Sequence, residues 1–503
     1  GAVTEPMPWT PSAAEQASIT RWENFFNQTG QREQLVSRYL FEHLFVAHIH
    51  FPSINGSSFY ELVRSSTPPG EPVVPLRTVR PNDAPEQAFF YRLRPLRETL
   101  VEKTHITYGL DDQRMQRWQQ LFFSDDWNVA VLPGYGYSER ANPFATFTSI
   151  PAKARYEFML DTAEYFVRTF IRGPVCRGQV ATDVIRDQFW AIFEDPAQEA
   201  YVNDPVYRAQ VTPLLGLPGQ DSDLLSLGSA WLKYSGKRNE YLQQRHAHYS
   251  QRKPSGATLD ELWDGEGYNQ DALLTIFRHH DSASVRKGLW GRVPDTIWVM
   301  DYPLLERTYY ELVVNFNVFG SLSHQAQTRL YFDLIRNGSE QNFLRFVPPE
   351  QRQALYNQWY QGHAQLKDAI AYTDFDHTTP TALTYSKTDL ETNQSVLQRF
   401  AAQLGERVGA VAGTPDTLNR CAHNNCQRPD LNAEQQQIQT LLQPLAHATG
   451  ASLPVIKLLP EVSFLRVTNG DQRWVYSLVH NRAHSNVAFM FGEEDRLQPE
   501  RDD

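Results

Sequence analysis

Apolar residues in this chain recur every three to four positions over stretches too long for strands, and that period commits most of it to helices. Residues 12–50 show it first. PSAAEQASITRWENFF opens with Pro11 and Ser12 at a helix start, and Leu35, Tyr39, Leu40, Leu44 and Ala47 carry the period on until Pro52 ends it. The same reading predicts helices over 111–123, 154–171, 180–200 and 303–317, the last with Leu305, Tyr309, Leu312, Val313 and Phe316 on one face. Strand candidates are few and short: 127–133, 296–301, 463–467 and 474–479. The expected fold is therefore predominantly α with a few short β-strands, an α+β protein.

A chain of 503 residues exceeds what one small core can organise, so it is either several domains or one large enzyme unit built from lobes. No internal repeat or low-complexity run divides it. The stretch between 66 and 88, which contains STPPGEPVVPLRTVRPNDAP, is rich in proline and turn residues and reads as an extended surface loop. The one shift in composition is a polar, Gln-rich segment between 385 and 445. It predicts a main helical catalytic region over 1–384 and a C-terminal portion over 385–503 packed against it.

The 58 acidic residues outnumber the 47 basic ones, and lysine and arginine are scattered singly or in pairs. A net charge of -11 without a basic patch repels phosphate backbones, so no nucleic-acid partner is expected. No run approaches the roughly 18–20 apolar residues of a membrane-spanning helix, and the start, GAVTEPMPWT, has none of the regions of a signal peptide. Cys421 and Cys426 sit in the short loop NRCAHNNCQRP, where a local disulfide and a zinc half-site are the competing readings. Gln427 stands where a c-type haem motif at this place would need His.

Histidine clusters carry the chemistry. FEHLFVAHIHF, residues 41–51, offers two geometries: a helix running through residue 50 puts His43 and His50 on one face, whereas extended backbone ahead of Pro52 points His48 and His50 the same way. Imidazole is a common ligand for transition metals, and Glu42 could orient one. FRHHDSASV, residues 277–285, places His279 and His280 beside Asp281 and two serines resembling a helix start. In LVHNRAHSN, His480 and His484 are four apart and would share a helix face, with Arg482 between them suited to a carboxylate or phosphate. His105 and His324 stand singly. There is no GxSxG elbow, Walker loop or GxGxxG, which sets aside hydrolase and nucleotide-enzyme readings.

Several of these stretches together resemble one family. YFVRTFIRGPVCRGQVATDVIRDQFW at 165–190, FRHHDSASV at 277–285, DYPLLERTYYELVVNFNVFGSLSHQAQTRLYFD at 301–333, LPEVSFLRV and LVHNRAHSNVAFMFGEE are similar to the bacterial fatty acid cis/trans isomerases. FEHLFVAHIHF, RSSTPPGEP and KTHITYGLDD keep the same order, and the resemblance covers most of residues 15–496. It implies a periplasmic enzyme that converts cis double bonds of unsaturated fatty acid or phospholipid acyl chains to trans with a covalently bound haem, in association with the membrane surface. Such enzymes carry a CxxCH motif for the haem. The three cysteines here, Cys176, Cys421 and Cys426, cannot form one, so the chain is either a trimmed catalytic portion or a relative that holds iron by histidines alone. The catalytic candidates are then His48, His50, His105, His280 and Arg177, and the substrate-binding candidates Arg482 and His324. The metal-ligand candidates are His43, His48, His50, His480 and His484. Two rival functions are a histidine-bound non-haem metal enzyme acting on lipids, and a lipid-binding module serving a separate haem protein.

Overall fold

The protein is described from a computed structural model over residues 10–97, 100, 105–172, 188–217, 227–278, 283–291, 293–359, 372, 374–412, 432–448, 450–460, 462–481 and 496–502. It is about 50% helical with 16% strand in small sheets, the α+β class that the periodicity predicted.

The predicted helix over 12–50 is two helices and a strand. Helix α1, Ala13–Phe26, begins in a capping box in which Ser12 and Glu15 satisfy each other's backbone donors. Gly30 separates it from α2, Gln31–Leu44, whose apolar stripe of Leu35, Val36, Tyr39, Leu40 and Leu44 is buried. The chain then extends as β1, His48–His50. With β2 (Tyr60–Ser65), β3 (Phe90–Pro95) and β4 (Thr107–Gly109) it forms a sheet ordered β3-β2-β1-β4, with β1 parallel to β4 and the other pairs antiparallel. At the β3 edge, the Asn27 amide donates to the Tyr91 carbonyl at 2.8 Å and accepts from its N–H at 2.9 Å, so a side chain occupies hydrogen-bonding groups that an open edge would expose.

Helix α3, Asp112–Phe123, matches its prediction and is capped by Asp111, whose carboxylate accepts from the Arg114 N–H at 2.7 Å. Trp118 of α3 meets Trp22 of α1 edge-on at 5.3 Å and packs with Phe25 and Phe26. Replacing the cap, Asp111→Ala, is expected to cost about 1 kcal/mol, read from the denaturation midpoint; an unchanged midpoint would remove the cap from this account.

The predicted helix over 154–171 appears as α4 (Ala152–Leu160) and α5 (Ala163–Arg172). Over 180–200 the expectation is overturned where the chain is described: residues Gln188–Phe193 are β5, a strand buried at all six positions. A continuously apolar run, QFWAIF, suits the interior of a sheet covered on both faces and carries no alternation to distinguish it from a buried helix. It pairs antiparallel with β6 (Leu273–Arg278) and parallel with β8 (Ile297–Met300), and β7 (Ala283–Lys287) completes the order β7-β6-β5-β8. Ser284 of FRHHDSASV lies within β7 and does not open a helix, and Ser282 lies outside the described residues. WNVAVLP, expected as a strand, is irregular.

The predicted helix over 303–317 is α7, Tyr302–Tyr309, continuing directly into a π-helical turn over Tyr310–Val314. Between β5 and β6 lies α6, Leu227–Arg252, and after the π-turn come α8 (Leu322–Leu344), α9 (Pro349–Trp359) and α10 (Asn393–Val408). Val396, Leu397 and Phe400 of α10 join the main core. Helix α11, Ala433–His447, packs with β9 (Val462–Asn469), β10 (Gln472–Asn481) and β11 (Arg496–Asp502) around a second, small cluster of Ile438, Leu442 and Tyr476. Among the described residues no helix is long and apolar enough to cross a membrane.

Candidate functional site

The extended alternative for FEHLFVAHIHF is the one realised. Because successive side chains of a strand point to opposite faces, His48 and His50 share one face of β1 while Ile49 is buried on the other. Parallel pairing of β1 with β4 sets His48 opposite Thr107 and brings His105, just ahead of β4, alongside. The Nδ1 atoms of His48 and His105 are 2.6 Å apart, a hydrogen bond in which one ring donates and the other accepts. Phe59 stands edge-on to His105 at 4.6 Å and to His50 at 5.8 Å, forming an aromatic wall between them.

Half-burial lowers the pKa of His50, further lowered by His105 and opposed by Asp111; burial, then the positive Arg168, lowers that of His105. Imidazoles so placed keep their lone pairs at neutral pH. No hydrogen bond to the described residues engages either ring nitrogen of His50. The arrangement can present neutral nitrogen donors beside an apolar wall.

His43 is elsewhere. It is fully buried, its Nδ1 donates to the Tyr39 carbonyl at 2.7 Å, and its ring stacks on Tyr309 at 5.1 Å. Burial takes its pKa down to about 3, so it is a neutral core histidine, separated from His50 by the end of α2. Its Nε2 faces Glu306 Oε1 at 3.7 Å, too long for a hydrogen bond. Around that gap, Tyr39, Arg155, Tyr302 and Glu306 also present buried polar atoms with no hydrogen bond. A neighbouring carboxyl, Glu311 on the π-turn, is pushed up to about 8 by burial against the opposing charges of Arg307 and Arg80. Sequence reasoning passed over this interior. Arg155 in ARYEF and Glu306 in LLERTYY look like ordinary exposed positions of amphipathic helices, and only the buried carboxylates within the apolar face of 303–317 hinted otherwise.

The other candidates are dispersed. His324 is the third residue of α8, its Nε2 accepts from the Asn317 N–H at 3.0 Å, and it packs on Phe316. His480 lies on β10, not on a helix, which corrects the expected shared helix face with His484; its Nδ1 is 2.9 Å from the Leu459 carbonyl. Arg177, His279, His280, Asp281, Arg482, His484, Cys176, Cys421 and Cys426 lie outside the described residues. Among the described residues no three His, Cys, Asp or Glu side chains are placed to hold one metal ion. Of the expected metal ligands, His43, His48, His50 and His480 therefore do not come together as one three-residue group among the described residues.

Beyond the β3 edge of the same sheet opens a cleft of about 520 Å³ between the end of α1, the middle of α2, residues 85–91 and the loop 132–135. Its walls are chiefly Phe26, Leu35, Phe89, Phe90 and Leu132, and its volume is in the range of small-molecule sites.

A family model described as "Fatty acid cis/trans isomerase (CTI)" matches residues 1–503, the whole chain. No curated protein and no solved structure matches.

Proposed function

The chain belongs to the fatty acid cis/trans isomerase family, and on that premise we propose that it works with iron, as haem or bound by imidazole, at the face of β1 that carries His48 and His50. The enzyme is an isomerase of fatty acid double bonds. That reaction explains why an electron-poor centre is wanted. A turnover of ~10 per second leaves a barrier of about 16 kcal/mol, and rotation about an intact π bond lies far above that. The bond must be weakened while it turns.

The observation that carries the proposal is that His48 and His50 on one face of β1 come together with His105 just ahead of β4, with Phe59 packed against His50 and His105. His48 and His50, whose imidazoles suit iron, would hold the haem or iron at this face. Bound oxidised iron would supply withdrawal of electron density from the double bond. The chain's own contribution is to hold the donors. The His48–His105 hydrogen bond couples the two rings, one donating from Nδ1 and the other accepting at Nδ1, and holds their orientation, while Phe59 packs against His105. Acyl chains of phospholipids as substrates, and a periplasmic site of action at the membrane surface, belong to the same proposal.

A visible absorption spectrum with metal analysis tests it. A Soret band lost on replacing the β1 histidines supports haem at this face; iron without that band supports histidine-bound iron; a metal-free protein that still isomerises would overturn the reading.

The lowered pKa values of His50 and His105 also set a pH dependence. Protonation removes the lone pair that a ligand needs, and a depressed pKa moves that event to lower pH. Activity is expected to hold through neutrality and decline only below the ordinary imidazole range, about pH 6.5. A decline centred above pH 7 in a pH–rate profile would contradict it.

A further inference from the structure

The apolar cleft has an excess of positive charge at its floor. Arg38 lines it, with Nε bound to Glu42 Oε1 at 2.9 Å and Nη1 to the carbonyls of Pro133 and Gly134 at 2.9 and 2.8 Å. No hydrogen bond to the described residues takes its Nη2. Tyr135, also lining the cleft, lies with its ring 3.9 Å from the Arg38 guanidinium, and the Tyr91 hydroxyl beside them is likewise unbonded among the described residues.

Behind these groups is Arg64, 2% exposed, bonded to the Asp83 carbonyl at 2.9 Å and the Thr78 hydroxyl at 2.7 Å, and faced by the rings of Phe41 and Phe89. No carboxylate pairs with it among the described residues. Burial raises the pKa of both Tyr91 and Tyr135, while Arg38 and Arg64 act on each in the opposite direction, which places both cations near both phenols. The nearby Asp83 carboxylate is paired with Arg140 at 2.6 Å, and Glu42 receives Arg38 and the Tyr310 hydroxyl. Three guanidiniums therefore stand against the two carboxylates bonded to them, and the further carboxylate Arg38 acts on, Glu139, is partly exposed. A buried cation without a counter-ion is costly, and the cost falls when an anion arrives.

We propose that this cleft binds the free carboxylate end of a long-chain fatty acid. Arg38 Nη2 and the Tyr91 hydroxyl donate to the carboxylate, Arg64 balances its charge from beneath, and the alkyl chain runs along Phe26, Leu35, Phe89 and Leu132. A cation at the floor of an apolar cleft selects an amphiphilic anion: a phosphate would gain nothing from these walls, and an esterified chain would leave the cation unmatched. The inference rests on the family's fatty acid substrates and not on the cofactor, because the cleft borders β3 whereas the imidazoles hang from β1 and the segment just ahead of β4, at the other side of the sheet.

Calorimetric titration of the full chain with palmitoleate and with its methyl ester tests this. The acid is expected to bind at least about tenfold tighter than the ester. Leu132→Trp, at the half-buried mouth, should weaken the acid about tenfold with an unchanged melting temperature, and Tyr91→Phe should narrow the gap between acid and ester. Equal affinity for acid and ester, or indifference to Leu132→Trp, would overturn the proposal. Binding is read without turnover. A chain that binds the acid as expected but leaves its double bond unchanged counts against the catalytic reading alone, and one that isomerises while treating acid and ester alike counts against this one.

Discussion

The double variant His48→Phe/His105→Phe is expected to form trans product about 100-fold more slowly than the parent, or not measurably, while remaining folded. The two rings are joined through Nδ1 at 2.6 Å, so removing both eliminates the donor pair and the hydrogen bond that orients it. Loss of a partner that orients a ligand typically costs 10–100-fold, and loss of a ligand itself costs more. Phenylalanine fills the space beside Phe59, and both sites are only half buried, so the melting temperature should hold within a few degrees. The single variant His105→Phe leaves His48 in place and should lose about tenfold. A double variant that retains parental activity in gas chromatography of the product would remove the His48–His105 pair from the reaction.

The largest expected effect on stability belongs to Glu194. It is 2% exposed and accepts from the Tyr249 hydroxyl at 2.6 Å, the Asn342 amide at 2.9 Å and the Arg345 guanidinium at 2.6 Å. Arg345 also pairs with Glu261 and lies over the Tyr249 ring at 3.3 Å. This knot joins the end of β5 to α6 and α8, so its members come from residues 194, 249, 261, 342 and 345. Glu194→Ala leaves a buried guanidinium with half its counter-charge and two further donors unmatched, which should destabilise the protein by about 3–5 kcal/mol. Glu194→Gln keeps the shape and one acceptor and should cost roughly half as much. Denaturant unfolding with both variants checks the order; a loss under about 1 kcal/mol for Glu194→Ala would mean that the knot contributes little.

How much of the fold was legible in the sequence depended on the range of each signal. Apolar residues recurring every three to four positions located α3, which exposes one face, and α4, α5 and α7, although α7 is buried at all eight positions; the signal failed at β5, where a strand covered on both sides carries no period. The break at Gly30 was hidden by apolar spacing that happened to stay in phase across it. His48 and His50 could be placed together on the extended alternative, a two-residue relation. Their meeting with His105, 57 residues from His48, could not, since it depends on parallel pairing of β1 with β4. The same limit hid the polar interior around Arg155 and Glu306 and the cation at the cleft floor, where Arg38, Arg64 and Tyr135 come from separate segments. Function was legible through the order of several motifs taken together, and no single one of them sufficed.

The most direct measurement incubates the purified, iron-replete full chain with palmitoleic acid and resolves the double-bond isomers by gas chromatography, beside the His48→Phe/His105→Phe variant. Accumulation of the trans isomer by the parent, with loss in the variant, is the result that this structure predicts. An unchanged cis isomer with the parent, or equal trans product from both proteins, would contradict it.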